Sequence, residues 1–334
     1  MLVDAALYTS DLRAVPDAAR ALEQAGYDGL FATEGPHDPF FPLLLAGEHT
    51  ERVRLTTSVV IAFARSPMTT AQQAYDLQLA SRGRFTLGLG TQIKPHIEKR
   101  FSMTWSRPAD RMREFVLALR AIWASWHEGT RLEFRGEFYT HTLMTPMFNP
   151  GPNPYGVPRV MLGGVGPRMT EVAGEVADGF LIHPFSTEKF MRETTMPALE
   201  RGLKTRGDVA FEVSFPAMVI VAEDDAALAK GHDLMRTRLA FYGSTPAYKV
   251  VLDAHGWGDL QPELNRMTKT GEWAAMNALI TDEIVDTFCI SGRPEEIAPK
   301  MQARFGDIVQ RVSVDSPLPL TPDQIQRVLT GFRH

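Results

Sequence analysis

A glycine-rich segment near the middle of the chain has the composition of an anion-binding loop. It stands between a short apolar run and an amphipathic one, and it consists of Gly163, Gly164, Val165, Gly166, Pro167, Arg168 and Met169. Glycines let backbone N–H groups approach an anion closely, and proline suits the first turn of a helix. The following helix would direct its positive end at a phosphate, and Arg168 could add a charge-assisted hydrogen bond. The segment therefore predicts a phosphate site, and the alternative is a glycine-rich turn with no ligand.

The same loop does not match the fingerprint of a dinucleotide-binding fold. That fingerprint needs a third glycine, where this chain has Met169, and an acidic residue at the end of the next strand, about 20 residues further on. Asp178 instead precedes the next predicted strand. The sequence therefore argues against NAD binding at this loop.

Three ionisable residues, Glu34, His37 and Asp38, follow the second predicted strand. If the strands form an α/β barrel, this loop lies at the face where catalytic residues collect, and the three groups could perform acid–base chemistry. Histidine is the side-chain type that can change its charge near neutral pH. Glu34 and His37 are therefore the candidate catalytic residues. In the alternative interpretation, Asp38 caps a short helix and His37 is a solvated loop residue.

The histidines and the single cysteine do not form a metal-binding pattern. The 9 histidines are scattered, and no HExxH motif or Cys/His cluster occurs in the sequence. One cysteine, Cys289, cannot form an internal disulfide, which fits a reducing compartment. The sequence therefore predicts no metal site and a cytoplasmic location.

Short apolar runs alternate with longer amphipathic segments, a pattern typical of βα units around a parallel sheet. The predicted strands are Leu2–Tyr8, Gly29–Thr33, Arg54–Ala62, Phe85–Gly90, Arg159–Leu162, Gly179–His183, Val213–Val221 and Val285–Ile290. The predicted helices are Val15–Ala25, Phe40–Glu48, Met68–Ala80, Pro108–His127, Arg168–Ala177, Glu188–Arg206, Ala226–Phe241 and Pro294–Arg304.

This order of elements predicts a single (β/α)8 TIM barrel over residues 1–334. Two irregular stretches, Leu132–Pro158 and Thr245–Asp282, are predicted to be insertions after strands four and seven. The βα pattern resumes after each of them, so neither is a linker between domains. A doubly wound sheet is the nearest alternative fold.

Composition and charge exclude several classes of protein. The chain of 334 residues has a net charge of −5 and 44% hydrophobic side chains. Nucleic-acid binders usually carry a strong basic excess, which is absent here. No apolar run approaches the roughly 20 residues of a membrane helix. The expected partner is therefore a small-molecule substrate, with no nucleic acid and no membrane.

Four segments carry a resemblance to a known family, and they are Ala21–Glu34, Leu55–Pro67, Arg82–Thr91 and Leu162–Asp178. In order and spacing they resemble the luciferase-like superfamily along most of the chain. The Gly-Val-Gly-Pro-Arg form and the phrase from Glu34 to Phe40 are most similar to the branch that uses coenzyme F420, a deazaflavin. The branch that uses FMN stays open. The resemblance implies a (β/α)8 barrel, an isoalloxazine-type ring bound at the carboxyl end of the strands, hydride transfer, and a homodimer as an expected state.

The resemblance also implies which residues contact the ring. A bulge with a non-proline cis peptide in strand three supports the ring in the family, and the matching bond here joins Ser58 and Val59. An ordinary buried strand is the alternative. Thr91 and Gln92, after strand four, would bond the ring carbonyls or the ribityl chain. His183, after strand six, would contact the ring or else be a core histidine bonded to backbone.

In the loop after strand two, this chain departs from the pattern of some relatives. Glu34 occupies a position where some relatives carry aspartate, and Gly35 stands where those carry histidine. His37 is the residue that could take over that role.

Three functions are consistent with these observations. The first is a deazaflavin-dependent oxidoreductase, in which a hydride moves between coenzyme F420 and a small organic substrate. The second is an FMN-dependent monooxygenase on the same scaffold, for which dioxygen would be a substrate. The third is a non-catalytic cofactor-binding barrel protein, because a fold does not by itself imply a function.

Overall fold

In a computed structural model of the protein, which describes residues 1–8 and 11–333, eight parallel strands close into a barrel. The strands are β1 (Leu2–Ala6), β2 (Gly29–Ala32), β3 (Arg54–Thr57), β4 (Phe85–Gly90), β5 (Arg159–Gly164), β6 (Gly179–Ile182), β7 (Glu212–Val221) and β8 (Arg311–Asp315). Each strand pairs with its neighbours in chain order, and β8 closes the ring by pairing with both β7 and β1. The predicted (β/α)8 barrel is confirmed.

Helices surround the barrel and connect its strands. The longer ones are α1 (Val15–Ala25), α2 (Phe40–His49), α3 (Pro67–Ala80), α4 (Pro108–His127), α5 (Pro167–Val176), α6 (a continuous helical segment made of Glu188–Phe190, Met191–Thr195 and Met196–Leu203), α7 (Asp225–Gly243), α8 (Lys249–Asp253), α9 (Leu260–Thr270), α10 (Trp273–Ala278), α11 (Asp282–Phe288), α12 (Pro294–Phe305) and α13 (Pro322–Phe332). Single helical turns occur at Leu12–Ala14, Ala62–Ala64, His96–Arg100, Pro146–Phe148 and Pro246–Tyr248. None of the helices in the described ranges is long and apolar enough to cross a membrane.

Local sequence explains where several helices begin and end. The Ser66 hydroxyl accepts a hydrogen bond from the Thr69 N–H at the start of α3, and Pro67 occupies the first helical position. Helix α1 ends at Gly26, whose φ of 98° is in the left-handed region that glycine adopts without a steric penalty. The apolar strands are buried on both faces, as expected for a parallel sheet covered by helices.

The prediction for strand eight is wrong. Val285–Ile290 was expected to be a strand, but most of it lies in α11, which starts with the Thr281 side chain accepting from the Ile284 N–H. Only Ile290–Gly292 is extended, and it pairs with β7 alone. The barrel strand is Arg311–Asp315, which alternates polar and apolar residues. Short buried apolar runs in a helix and in a strand look alike in sequence, which explains the error.

Both insertions are present, and the second one builds its own core. After β4 and α4, a short hairpin pairs Phe134–Arg135 with Thr140–His141. After β7, helices α8 to α11 pack over one side of the barrel mouth. Their apolar side chains join residues such as Phe185, Met218 and Ile220 in a second buried cluster, separate from the main barrel core.

Candidate active site

The carboxyl end of β3 forms a shelf at the barrel mouth. The peptide bond between Ser58 and Val59 is cis, as the resemblance implied, and the strand resumes at Val60–Ile61, which pairs with β4. Strand three is therefore two segments and not the single run that the sequence predicted. A Cβ added at Gly90 would lie 2.5 Å from Val59 Cγ2, and one added at Gly163 would lie 3.0 Å from Val59 Cγ1. The Val59 side chain therefore fills space that glycines leave at the ends of β4 and β5.

The loop after β2 is bonded to this shelf. The Thr33 hydroxyl donates to the Ser58 carbonyl oxygen at 3.0 Å, and the Glu34 N–H donates to the Val59 carbonyl oxygen at 3.3 Å. The candidate catalytic loop and the predicted ring support are thus held together by direct contacts between neighbouring strand ends.

Both oxygens of the Glu34 carboxylate accept hydrogen bonds from the residues that follow β3. Arg65 Nη1 donates to its Oε1 at 2.9 Å and to its Oε2 at 2.7 Å, and the Ile61 N–H donates to Oε2 at 2.7 Å. Only 7% of the Glu34 side chain and 13% of the Arg65 side chain are exposed. These contacts give Glu34 a positioning role in the loop.

Asp38 and His37 have different surroundings. Asp38 accepts from the Phe40 N–H, the first N–H of α2, at 2.9 Å and from Arg65 Nη2 at 2.7 Å, while Pro39 is the N-cap residue of that helix. His37 is exposed, and its ring makes no hydrogen bond to any residue in the described ranges. It is therefore accessible to a ligand at the barrel mouth.

The residues after β4 form a tight turn. Gln92 has a φ of 60°, its side-chain oxygen accepts from the Ile93 N–H at 3.0 Å, and the Thr91 hydroxyl donates to the Gln92 carbonyl oxygen at 2.8 Å. The Thr91 hydroxyl proton is thus used inside the turn. The Gln92 amide nitrogen has no partner among the described residues and is available to a ligand.

The glycine-rich loop leads directly into α5, as predicted. Gly166 is the N-cap residue, with no side-chain cap, and Pro167 follows at the first helical position. A Cβ added at Gly166 would meet no heavy atom within 4 Å, so the space beside the helix N-terminus is open. The first N–H groups of α5 therefore face open space without a capping side chain, which is the arrangement that anions bind.

Three side chains of this loop point away from that space. Arg168 pairs with Glu171 at 3.1 Å and with Glu175, along its own helix. Met169 packs against Gly164, where an added Cβ would lie 2.7 Å from Met169 Cγ. Val165 packs against the second buried cluster. These residues can contribute to an anion site through their backbone.

His183 lies at the mouth, after β6, in an aromatic environment. Its Nδ1 accepts from the Phe185 N–H at 3.0 Å, so the alternative of a histidine bonded to backbone is correct for this nitrogen. Its ring centroid lies 4.4 Å from that of Tyr248 and 5.2 Å from that of Tyr242. Burial, with a contribution from Arg238, lowers the pKa of His183 to about 3, so the ring is neutral at physiological pH.

Sequence reasoning missed the neighbours of His183. Tyr242 and Arg238 lie on α7, Tyr248 follows in the insertion after β7, and Asp315 ends β8. The misassigned strand eight concealed Asp315, because the end of the true strand is what brings it to the mouth. Within residues 1–8 and 11–333, no group of three or more His, Cys, Asp or Glu side chains could hold a metal ion.

Comparison with known proteins agrees with this geometry. Residues 3–311 match the model of a family described as luciferase-like monooxygenase. The chain belongs to this family. The luciferase-like family is enzymatic, and it includes both F420-dependent reductases and flavin monooxygenases.

Individual luciferase-like relatives cover almost the whole chain. An uncharacterized protein of Mycobacterium tuberculosis is 55% identical over 305 residues, 91% of this chain and 90% of the relative. The 5,10-methylenetetrahydromethanopterin reductase of Archaeoglobus fulgidus is 28% identical over 308 residues, 89% of this chain and 87% of that enzyme. The solved structure of coenzyme F420-dependent tetrahydromethanopterin reductase from Methanopyrus kandleri superimposes with a TM-score of 0.77 at 19% identity, covering 98% of this chain and 96% of that one. The last likeness shows the shared fold.

Proposed function

We propose that the protein is an oxidoreductase that transfers a hydride between coenzyme F420 and a small organic substrate. The observation that carries the proposal is the open, uncapped N-terminus of α5, which follows β5, the strand whose Gly163 borders the Val59 side chain. The likeness to the reductase of Archaeoglobus fulgidus supports F420 as the coenzyme. When bound, F420 supplies two-electron hydride transfer at a ring carbon and reacts poorly with dioxygen.

The residues of the mouth fit a flat ring with a phosphorylated tail. Gly163, Gly164 and Gly166 expose backbone, and the free N–H groups of α5 would bind the phosphate. Val59 would support one face of the ring, because Gly90 and Gly163 leave room for its side chain at the ends of β4 and β5. The Gln92 amide nitrogen would donate to a ring carbonyl.

Proton transfer is assigned to the loop after β2. His37 is exposed and unpartnered among the described residues, so it can exchange a proton with a substrate at the mouth. Glu34 acts through the loop, since its oxygens are held by Arg65 and the Ile61 N–H. Of the two predicted catalytic residues, His37 is therefore the proposed acid or base, and Glu34 is the proposed positioning residue.

An FMN-dependent monooxygenase is the second candidate, and the family description favours it. The two coenzymes share the ring shape and the phosphate, so the same residues would bind either one. A titration of the purified protein with each coenzyme, followed by ring fluorescence, separates them. We expect tight binding of F420 and weak binding of FMN. The reverse result would favour the monooxygenase, and binding of neither would favour a barrel without redox function.

A further inference from the structure

One wall of the barrel mouth is aromatic and contains paired charges. His183 after β6, Tyr242 on α7 and Tyr248 in the following turn form one cluster of rings, in which the centroids of Tyr242 and Tyr248 are 6.4 Å apart. Arg238 lies over the Tyr242 ring, with its guanidinium carbon 5.6 Å from the ring centroid, and pairs with Asp315 at the end of β8. This wall follows β6, the strand beside β5 and its glycine loop, and Val165 of that loop packs against the same buried cluster as Tyr242 and Tyr248. It is hereafter called the aromatic wall.

The hydrogen bond at Nδ1 fixes the tautomer of His183. Nδ1 accepts from the Phe185 N–H, so the single proton of the neutral ring is on Nε2. Within the described chain, Nε2 has no hydrogen-bond partner. The groups that face the ring are Arg238, whose positive charge opposes protonation, and the tyrosines Tyr242 and Tyr248. His183 is therefore a neutral donor with an unused N–H.

Tyr248 adds a second neutral donor beside the first. Burial raises the pKa of its hydroxyl to about 12, so it stays protonated, and the hydroxyl has no hydrogen-bond partner within the described ranges. Arg238, the positively charged residue of the wall, is already paired with Asp315, and their side chains are only 29% and 21% exposed. An anionic group bound here would have to displace Asp315 or remain unpaired, and both are costly.

We propose that the aromatic wall selects an uncharged substrate and binds its reacting oxygen through His183 Nε2–H and the Tyr248 hydroxyl. This rests on the proposed function, which supplies the coenzyme. The substrate class is a neutral aldehyde or ketone, or the corresponding alcohol in the reverse direction. The apolar part of the substrate contacts the rings of Tyr242 and Tyr248, and its oxygen accepts a hydrogen bond from each of the two donors.

The chemistry balances with these groups. In the reducing direction, the carbonyl carbon gains the hydride, a C–H bond forms, and the π electron pair moves to the oxygen. One N–H donor and one O–H donor stabilise the developing negative charge, and the oxygen then takes a proton from the acid of the loop after β2. The carbonyl compound is reduced and the reduced coenzyme is oxidised by the same two electrons.

The test uses a panel of uncharged carbonyl compounds and their carboxylate-bearing analogues, for example cyclohexanone against 4-oxocyclohexanecarboxylate. Binding to the wild-type protein with F420 is followed by saturation-transfer NMR, and turnover by the absorbance of F420. We expect at least one neutral member to bind about tenfold or more tightly than its charged analogue. Binding confined to carboxylates, or absent for every neutral member, overturns the proposal.

Substitutions of Tyr248 and His183 test whether these two residues donate hydrogen bonds to the substrate oxygen. Tyr248→Phe and His183→Phe should lower kcat/KM by about tenfold or more, while His183→Gln, which keeps an N–H donor, should recover part of the loss. Tyr155→Phe, at an exposed tyrosine in the insertion after β4, is the matched control and should leave kcat/KM unchanged. Neutral-ligand binding should be flat between pH 5 and pH 9, because His183 does not charge in this range. An unchanged Tyr248→Phe variant, or a pH limb lost in His183→Phe, contradicts the proposal.

The F420 titration keeps the two proposals separate. Each variant should bind F420 as the wild-type protein does, because the proposed coenzyme contacts are made by the glycine loop, Val59 and Gln92. If the wild-type protein fails to bind F420, the proposed function fails. The NMR comparison of neutral and charged ligands still decides the selectivity of the aromatic wall in that case.

Discussion

Arg65 donates from Nη1 to both carboxylate oxygens of Glu34, at 2.9 and 2.7 Å, and from Nη2 to Asp38 at 2.7 Å. A single guanidinium thus joins two acidic residues of the loop after β2 to the residues that follow β3. Because the Ile61 N–H also donates to Glu34, the loop cannot move without breaking buried hydrogen bonds. The position of His37, between the two acids in sequence, follows from this clamp.

Replacement of Glu34 by glutamine should destabilise the fold. The change leaves Arg65 buried with one carboxylate partner in place of two, so we expect the free energy of unfolding to fall by about 2–3 kcal/mol. Urea unfolding of the protein without coenzyme measures it. The control is Glu98→Gln, because Glu98 lies 3.8 Å from Lys94 in an exposed pair, and it should change stability by less than about 0.5 kcal/mol. Unchanged stability with lost turnover would make Glu34 the acid–base group.

His37→Ala should separate catalysis from binding. We expect turnover to fall by about 10²–10⁴-fold, since this is the usual contribution of general acid–base assistance. The affinity for F420, measured by fluorescence titration, should be unchanged because the phosphate binds at a different loop. Full turnover in this variant would move the acid–base group elsewhere, with His96 after β4 as the next candidate.

Gly166→Asp should abolish coenzyme binding while the fold persists. The backbone of Gly166 has φ −70° and ψ 145°, which any residue adopts, and an added side chain meets open space. The carboxylate would cap α5 and repel the phosphate, so we expect at least about a tenfold loss of affinity, or about 1.4 kcal/mol. Gly166→Asn, which caps without a charge, is the control. Equal affinities for the Asp variant and the wild type would remove this loop from the site.

The contribution of Asp4 to the free energy of unfolding should decrease as the pH rises. It is buried in the barrel and paired with Arg311, and burial raises the pKa of its carboxyl from 3.8 to about 6. The folded state therefore holds this proton more tightly than the unfolded state. The stabilisation that Asp4 contributes to the folded state is present in full below about pH 4 and is lost as the pH rises through 6.

The variant Asp4→Asn isolates that effect, because asparagine does not titrate. The free energy of unfolding of the wild type, minus that of the variant, should decrease between pH 4 and pH 7 by up to about 3 kcal/mol. Urea unfolding at each pH measures both proteins. A difference that increases with pH would show that the pair with Arg311 outweighs the burial of Asp4, and a constant difference would show that the two effects cancel; either result contradicts the prediction.

The sequence was sufficient for features that depend on local pattern. The glycine loop before α5, the helix stops and the first seven strands were predictable because glycine, proline and apolar periodicity act over a few residues. Strand eight was not predictable in the same way. Ile284, Val285 and Phe288 look like a buried strand, and only the cap at Thr281, followed by Asp282 and Glu283, indicates a helix.

The contacts of the candidate site could not be predicted from the sequence. Glu34, His37 and His183 were proposed from their positions at strand ends and Val59 from the family resemblance, but nothing in the sequence pairs Glu34 with Arg65, 31 residues away. The direction of the Arg168 side chain along α5 follows from Glu171 and Glu175, at helical spacing, and could have been inferred. Tyr248 required the tertiary packing of the insertion after β7.

The most direct test of the central claim follows the transferred hydrogen. The protein is incubated without oxygen with reduced F420 that carries deuterium at its transferable position, together with the panel of neutral carbonyl compounds. Mass spectrometry should detect one deuterium on the carbon of the product alcohol. Formation of product only with reduced FMN and dioxygen, with an oxygen atom from ¹⁸O₂ in the product, would contradict the account.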